Sequence, residues 1–176
     1  TSEVYGTAKY TPMDENHPLD GQSPYSASKI AADQLAISFY KSFSTPVSIL
    51  RPFNTYGPRQ SARAIIPTAI LQILSGKKQI NLGSVEVTRD FSFIDDTVDA
   101  FEASISAKKI DGEIINLGSG FEMSVKDLVD IICSQMNTNC KIVTDKKRKR
   151  PTKSEVTRLL SNNLKANSKL KWKPKY

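Results

Sequence analysis

The alternation of amphipathic helical segments with short apolar runs constrains this sequence more than any other feature. Apolar residues recur at three- and four-residue spacing over 25–43, directly after Pro24, which predicts a helix, and the apolar run 47–50 predicts a strand. Further helices are predicted near 63–75 and 95–107, from 124 and at 164–170, and further strands near 79–82, 114–117 and 142–143. This pattern favours an α/β fold, most simply a parallel sheet covered by helices.

The positive charge is concentrated at one end of the chain. Residues 141–176 carry a net charge of +11, whereas residues 1–140 carry −4. The run 146–150 consists of five basic residues without interleaved aromatic side chains, and Pro151 follows it directly. We therefore favour a solvated loop whose last arginine meets a phosphorylated substrate over a nucleic-acid interface.

The few cysteines and histidines make metal and thiol chemistry poor explanations of the sequence. Cys133 and Cys140 do not form a CxxC or zinc-type pattern, and Cys133 is expected in a helix core. The single histidine, His17, is expected to be a solvated loop residue, so a His-based triad is not predicted. The longest apolar runs fall short of a membrane span, and a cytoplasmic protein is expected.

A YxxxK pattern, Tyr25 to Lys29, stands at the start of the first predicted helix. Four residues make about one helical turn, so the phenol and the ammonium project from the same face. The nearby cation stabilises a phenolate and so makes the tyrosine usable as an acid or base. Because such a pattern occurs often by chance, the surrounding sequence has to support this interpretation.

Four blocks in a fixed order carry a resemblance to a known family. They are TSEVYG at 1–6, YSASK at 25–29, RPFNTYGPR at 51–59 and RDFSFIDD at 89–96. Together they resemble the NAD-dependent sugar-nucleotide epimerase/dehydratase family, the extended short-chain dehydrogenases/reductases. The wider match over 21–29 and 59–63 is most similar to N-acetylhexosamine 4,6-dehydratases that supply sugars for bacterial surface glycans.

The resemblance implies a fold and a domain division. It implies the C-terminal part of a Rossmann-type doubly wound parallel sheet together with a small α/β substrate-binding domain. Residues 1–60 would belong to the NAD-binding domain and 61–176 mainly to the nucleotide-sugar region, with 84–107 returning to the Rossmann part. Since no GxGxxG motif occurs in the chain, the Gly-rich N-terminal half is expected to be missing.

The resemblance also assigns catalytic and cofactor-binding residues. Thr1, Tyr25 and Lys29 match the family's Ser/Thr-Tyr-Lys triad, in which the hydroxyl binds the sugar and the tyrosine takes its proton. Tyr25, Lys29 and Pro52 would contact NAD, and Lys29 would hold the nicotinamide ribose. The family match therefore places the reacting sugar carbon beside these side chains.

Three further residues are expected to bind the substrate. Asn54 follows a predicted strand at the position where the family contacts the sugar diphosphate. Arg89 matches the arginine that grips the nucleotide diphosphate, a task that suits a planar fork of donors, and Asp90 is expected to orient it. Arg150 resembles a second diphosphate contact, whereas 118–120 are expected to be an ordinary turn.

Glu3 distinguishes between the reactions of the family. A 4,6-dehydratase needs a base for the C5 proton, and Glu3 suits that role, whereas 4-epimerases commonly have a small residue there. Ser2 stands where well-known dehydratases have an aspartate, so the acid that assists departure of the C6 hydroxyl is unassigned. We predict a dehydratase, with UDP-sugar 4-epimerase and UDP-glucuronate decarboxylase as alternatives and a non-catalytic binding module as an alternative of another class.

The predicted partners follow from the same resemblance. The substrate would be a UDP-, GDP- or dTDP-hexose, and the full-length protein would form a homodimer through a four-helix interface that includes the Tyr25 helix. Neither a nucleic-acid nor a membrane partner is expected, and no metal site is predicted.

Overall fold

The computed structural model describes all residues, 1–176. It contains five α-helices: α1 Pro24–Phe43, α2 Ile65–Leu74, α3 Ile94–Ser106, α4 Val125–Gln135 and α5 Leu164–Leu170. Its seven strands are β1 Ile49–Pro52, β2 Asn54–Tyr56, β3 Gln79–Leu82, β4 Thr88–Phe93, β5 Ile114–Leu117, β6 Glu122–Ser124 and β7 Lys141–Thr144. Short 3₁₀ turns occupy Ser2–Tyr5, Lys146–Arg148 and Thr152–Ser154.

Local sequence explains how α1 begins and ends. The Ser23 hydroxyl accepts a hydrogen bond from the Ser26 amide at 3.1 Å, and Pro24 occupies the first helical position. The helix ends at Ser44, which has a left-handed φ of 55° and donates its amide proton to the Tyr40 carbonyl. These signals fix the start of the helix that carries Tyr25 and Lys29.

Most strand pairs are parallel, as the α/β prediction requires. β1 pairs with β5, β2 with β4 and β3 with β7, all in parallel, whereas β6 pairs antiparallel with β4. The predicted strand at 47–50 is displaced to Ile49–Pro52, and β2 lies inside the predicted loop 51–62. Both differences arise because pairing with β5 and β4, which are distant in sequence, decides which residues extend.

Three hydrophobic clusters form the core. One joins β5 to α3, α5 and Trp172, a second surrounds Val4 and Tyr5, and a third lies between α2, α4, β3 and β7. Cys133 belongs to the third cluster and is buried, so its predicted place in a helix core is confirmed. The domain division predicted at residue 60 stays a prediction. β1 and β5, which lie on either side of this position in the sequence, pair in one sheet.

A buried polar network joins the first 3₁₀ turn to α1, β1 and β5. Arg51 on β1 is 1% exposed, and its guanidinium lies 2.9 Å from Asp33 of α1 and 2.8 Å from the Tyr5 hydroxyl. The Tyr5 hydroxyl donates to the Asn116 side-chain oxygen at 2.7 Å. Because a buried guanidinium has to be paired, this network fixes α1 relative to the turn that precedes it.

His17 differs from its prediction. It is buried, accepts a hydrogen bond from the Lys9 amide at Nε2 (2.9 Å) and donates from Nδ1 to the Pro18 carbonyl (2.9 Å). Its ring also packs against Tyr5 and Tyr10. The expectation of a solvated loop histidine is therefore wrong, because the loop folds back over the first 3₁₀ turn.

An ion-pair cluster at the start of β5 predicts a pH dependence of stability. Glu113 lies 2.7 Å from both Lys165 and Lys169 of α5, and hydrogen bonds from these two lysines lower the pKa of its carboxyl from its usual value. A lowered folded-state pKa stabilises the fold above the unfolded value and loses this effect as the pH falls through the folded value. Glu113→Gln should therefore remove about 0.5–1 kcal/mol at neutral pH, and less at acid pH.

Urea unfolding at neutral and at acid pH would measure this change in the free energy of unfolding. Glu102→Gln on α3, which removes an exposed glutamate without an ion pair, is the control. Equal pH dependence in the wild type and Glu113→Gln would contradict the role given to this cluster.

None of the helices is long and apolar enough to cross a membrane.

Candidate active site

The first 3₁₀ turn presents Thr1 and Glu3. The Thr1 hydroxyl accepts a hydrogen bond from the Glu3 amide at 3.3 Å and thereby caps the turn. Ser26 of α1 is buried beneath, and its hydroxyl donates to the Glu3 carbonyl at 2.5 Å. The turn and the start of α1 are thus joined directly, in addition to the network around Arg51.

Tyr25 and Lys29 lie on the first turns of α1, as the YxxxK spacing predicts. The Tyr25 ring is 51% exposed, and the Lys29 ammonium lies 5.7 Å from the ring centroid. Neither the Tyr25 hydroxyl nor the Lys29 ammonium hydrogen-bonds to another side chain. The phenol and the cation are therefore neighbours whose polar groups are free to bind a ligand.

A cleft of about 500 Å³ brings together five of the predicted site residues. Thr1 and Glu3 reach it from the 3₁₀ turn, Tyr25 from α1, Asn54 from β2 and Arg150 from the basic run. Lys29 lies beside Tyr25 but does not line this cleft, and half-buried Pro52 on β1 does not line it either. A hydroxyl, a phenol and a carboxylate therefore face one space of the size that a sugar requires.

A second cleft, of about 340 Å³, adjoins the first, because Glu3, Asn54 and Arg150 line both. Four arginines and two glutamates line it, which gives these side chains a net charge of +2. They are Arg63, Arg89, Arg148, Arg150, Glu3 and Glu155. Such a cleft attracts anions, and guanidinium groups suit phosphate oxygens.

Arg89 is held in the wall of the second cleft. It lies on β4, is 8% exposed and donates from Nη1 to the Thr88 carbonyl at 2.8 Å. Burial lowers the pKa of its guanidinium, and Glu155, whose carboxylate lies 3.7 Å away, opposes this change. Glu155 also accepts a hydrogen bond from the Ser84 hydroxyl at 3.1 Å, so this ion pair is fixed from both sides.

Asp90 does not orient Arg89, and that expectation is wrong. Its buried carboxylate accepts hydrogen bonds from the Ser119 amide and hydroxyl and from the Gly120 and Ser161 amides, at 2.6–3.1 Å. Burial raises the pKa of this carboxyl, while these hydrogen bonds act to lower it. Neighbouring side chains on a strand point to opposite faces, so Asp90 holds the 118–120 turn while Arg89 faces the cleft.

The basic run contributes to the cleft through a close backbone contact. A Cβ atom at Gly83 would lie 2.6 Å from the Arg148 carbonyl oxygen, so glycine allows the run to approach β3. The Asp145 amide also donates to the Leu82 carbonyl at 2.7 Å. These contacts seat Arg148 and Arg150 at the cleft.

Several residues that line the second cleft were not predicted as site residues. Arg63 lies in the family-like block 59–63, Arg148 in the basic run and Glu155 just after it, but spacing alone did not single them out. Gln60 also lines this cleft, and its buried Oε1 has no hydrogen-bond partner. The Nε2 atom of the same side chain donates to the Thr55 carbonyl at 2.9 Å, which holds Gln60 against β2.

The whole length of the chain matches one known protein family. The family model described as GDP-mannose 4,6 dehydratase matches residues 1–176. The chain belongs to this family. A dTDP-D-glucose 4,6-dehydratase of Dictyostelium discoideum is 40% identical over 139 residues, which cover 73% of this chain and 32% of that protein.

Solved structures of other proteins agree with the family assignment. A dTDP-glucose 4,6-dehydratase of Bacillus anthracis in complex with NAD superposes with a TM-score of 0.88 at 32% identity, covering 100% of this chain and 55% of that one. A UDP-glucuronic acid 4-epimerase of Bacillus cereus in complex with UDP-glucuronic acid and NAD gives 0.91 at 29% identity, with the same coverages. The chain therefore spans about half the length of these family members.

Proposed function

We propose that this chain is part of an NAD-dependent nucleotide-sugar 4,6-dehydratase. The observation that carries the proposal is the position of Glu3, whose carboxylate lines the same cleft as Thr1 and Tyr25. A dehydratase needs a base for C5 beside the groups that act on the C4 hydroxyl, whereas an epimerase needs only the latter.

Thr1 and Tyr25 act on the C4 hydroxyl of the sugar. The Thr1 hydroxyl orients the substrate by a hydrogen bond, and the Tyr25 oxygen takes the hydroxyl proton as C4 is oxidised. Lys29 lies 5.7 Å from the Tyr25 ring centroid, so its ammonium stabilises the developing phenolate. Tyr25 returns the proton when the reaction runs in the opposite sense.

Glu3 takes the C5 proton, which becomes acidic once C4 is a ketone. Loss of the C6 hydroxyl then completes the removal of water across C5 and C6. The acid for this departure stays unassigned, because Ser2 replaces the aspartate of well-known dehydratases; Ser2 is buried but lines the cleft.

The exposed face of α1 fits the nicotinamide cofactor of the proposal. The Tyr25 hydroxyl and the Lys29 ammonium are unpaired polar groups one helical turn apart, the donor set that a ribose hydroxyl pair would use, and Pro52 would border the ring. Bound NAD would accept the C4 hydrogen as hydride and supply it again at C6, while Glu3 would return a proton to C5. The structural neighbours that contain NAD support this assignment.

The second cleft would hold the nucleotide diphosphate. Its four arginines, among them the predicted Arg89 and Arg150, outnumber its glutamates by two, and this excess matches a doubly charged diphosphate. Asn54 lines both clefts and would lie between sugar and diphosphate. UDP-, dTDP- and GDP-hexoses all fit this charge pattern.

A 4-epimerase is the second candidate, because a UDP-glucuronic acid 4-epimerase has the same fold over this chain. UDP-glucuronate decarboxylase shares the C4 oxidation and differs only in losing carbon dioxide. A non-catalytic binding module would keep the basic cleft without turnover. We also propose a homodimer, for which α1 offers exposed Leu35, Phe39 and Phe43.

Product analysis of the full-length protein tests the reaction. With NAD and UDP-N-acetylglucosamine, a dehydratase should form a 4-keto-6-deoxy sugar, which mass spectrometry detects as the loss of one water. UDP-N-acetylgalactosamine as product would favour the epimerase, and release of carbon dioxide from UDP-glucuronate would favour the decarboxylase. Failure to bind either NAD or UDP-sugars in calorimetry would remove the enzyme interpretation.

A further inference from the structure

Arg150 forms an ion pair with Glu3 across 147 positions of sequence. Its Nη1 lies 3.3 Å from the Glu3 Oε1, and both residues line both clefts. The Arg150 side chain is 51% exposed and that of Glu3 is 22% exposed, so the pair lies at an open boundary. A single guanidinium thus pairs with the proposed base where the two clefts meet.

The other arginine pairs of this region are arranged differently. Arg89 is buried and its partner Glu155 is also held by Ser84, so that pair has little freedom to rearrange. Arg148 pairs with Asp145 at 3.6 Å, and Asp145 lines neither cleft. Of these three arginine pairs, only Arg150–Glu3 consists of residues that also line the first cleft.

We propose that substrate binding exchanges the partner of Arg150 from the Glu3 carboxylate to the substrate diphosphate, which frees Glu3 to act as a base. The inference rests on the proposed function. A diphosphate carries more charge than one carboxylate and competes effectively for the guanidinium, whose half-exposed side chain can turn. Arg150 is then a substrate-binding residue that holds the Glu3 carboxylate only until substrate binds.

In this exchange Glu3 and the diphosphate compete for the Arg150 guanidinium. A double-mutant cycle of nucleotide binding can measure this competition without turnover. The probe is whichever of UDP, dTDP and GDP binds the full-length NAD-loaded protein most tightly in calorimetry. Glu3→Gln should tighten its binding by about two- to fivefold, as expected for a partly exposed ion pair. In the Arg150→Gln background the same substitution should give no gain.

Arg148→Gln is the matched control, because Arg148 has nearly the same exposure, 49%, and lines the same cleft without contacting Glu3. The gain from Glu3→Gln should persist in that background. General charge repulsion between Glu3 and the ligand would instead give the same gain in all three backgrounds, which would overturn the exchange.

Unchanged or weaker binding in Glu3→Gln would also overturn it, since Glu3 would then help Arg150 to hold the ligand. Binding with the expected cycle but without a dehydration product would support the exchange and contradict the proposed reaction. Failure of all three nucleotides to bind would overturn both proposals.

Discussion

Glu3→Gln in the full-length protein is expected to lower formation of the 4-keto-6-deoxy product by about 10²- to 10⁴-fold, the usual contribution of a general base. The amide keeps the size and the hydrogen-bonding reach of the carboxylate but cannot accept the C5 proton. Oxidation at C4 does not require Glu3, so reduced cofactor should still form. Mass spectrometry of the sugar and near-ultraviolet absorbance of the cofactor measure the two steps separately.

Glu3→Asp provides the control for this prediction. It restores a carboxylate on a shorter side chain, so part of the lost product formation should return if proton transfer is the role of residue 3. Dehydration at more than about a tenth of the wild-type rate in Glu3→Gln would rule out that role.

Tyr25→Phe should lower turnover by a similar factor, about 10²- to 10⁴-fold, but at the earlier step. The phenyl ring preserves the packing at the start of α1 and removes only the oxygen that takes the C4 proton. Neither the dehydrated product nor reduced cofactor should then accumulate. Stopped-flow absorbance of the reduced cofactor after mixing with UDP-N-acetylglucosamine would measure the loss directly.

Tyr40→Phe is the matched control on the same helix. It removes a partly exposed hydroxyl about four helical turns from Tyr25, far from both clefts. Nucleotide binding by Tyr25→Phe should stay close to that of the wild type, because the diphosphate cleft does not include residue 25. Near-normal cofactor reduction in Tyr25→Phe, or an equal loss in Tyr40→Phe, would remove Tyr25 from the mechanism.

The two substitutions together separate the reactions that the family offers. Loss of dehydration alone in Glu3→Gln, with loss of oxidation in Tyr25→Phe, is the expected result for a dehydratase. An epimerase would lose turnover in Tyr25→Phe but keep much of it in Glu3→Gln.

Sequence patterns predicted the elements whose signals are local. The capped helix α1, strand β5 at 114–117 and helix α5 at 164–170 have the predicted types and nearly the predicted bounds. Tyr25 and Lys29 share a face because four residues span about one helical turn in any α-helix. The family resemblance also placed Thr1, Glu3, Asn54, Arg89 and Arg150 among the site residues, and the structure brings these to two adjoining clefts.

Long-range contacts decided the rest. The extent of β1, the existence of β2 and the burial of His17 depend on partners far along the chain, which periodicity does not encode. Asp90 follows Arg89 directly in sequence, yet the alternation of a strand sends it to the 118–120 turn. The ion pair between Glu3 and Arg150 forms only because folding brings two residues that are 147 positions apart together, with Arg150 Nη1 3.3 Å from Glu3 Oε1. No local pattern of charge specifies this contact.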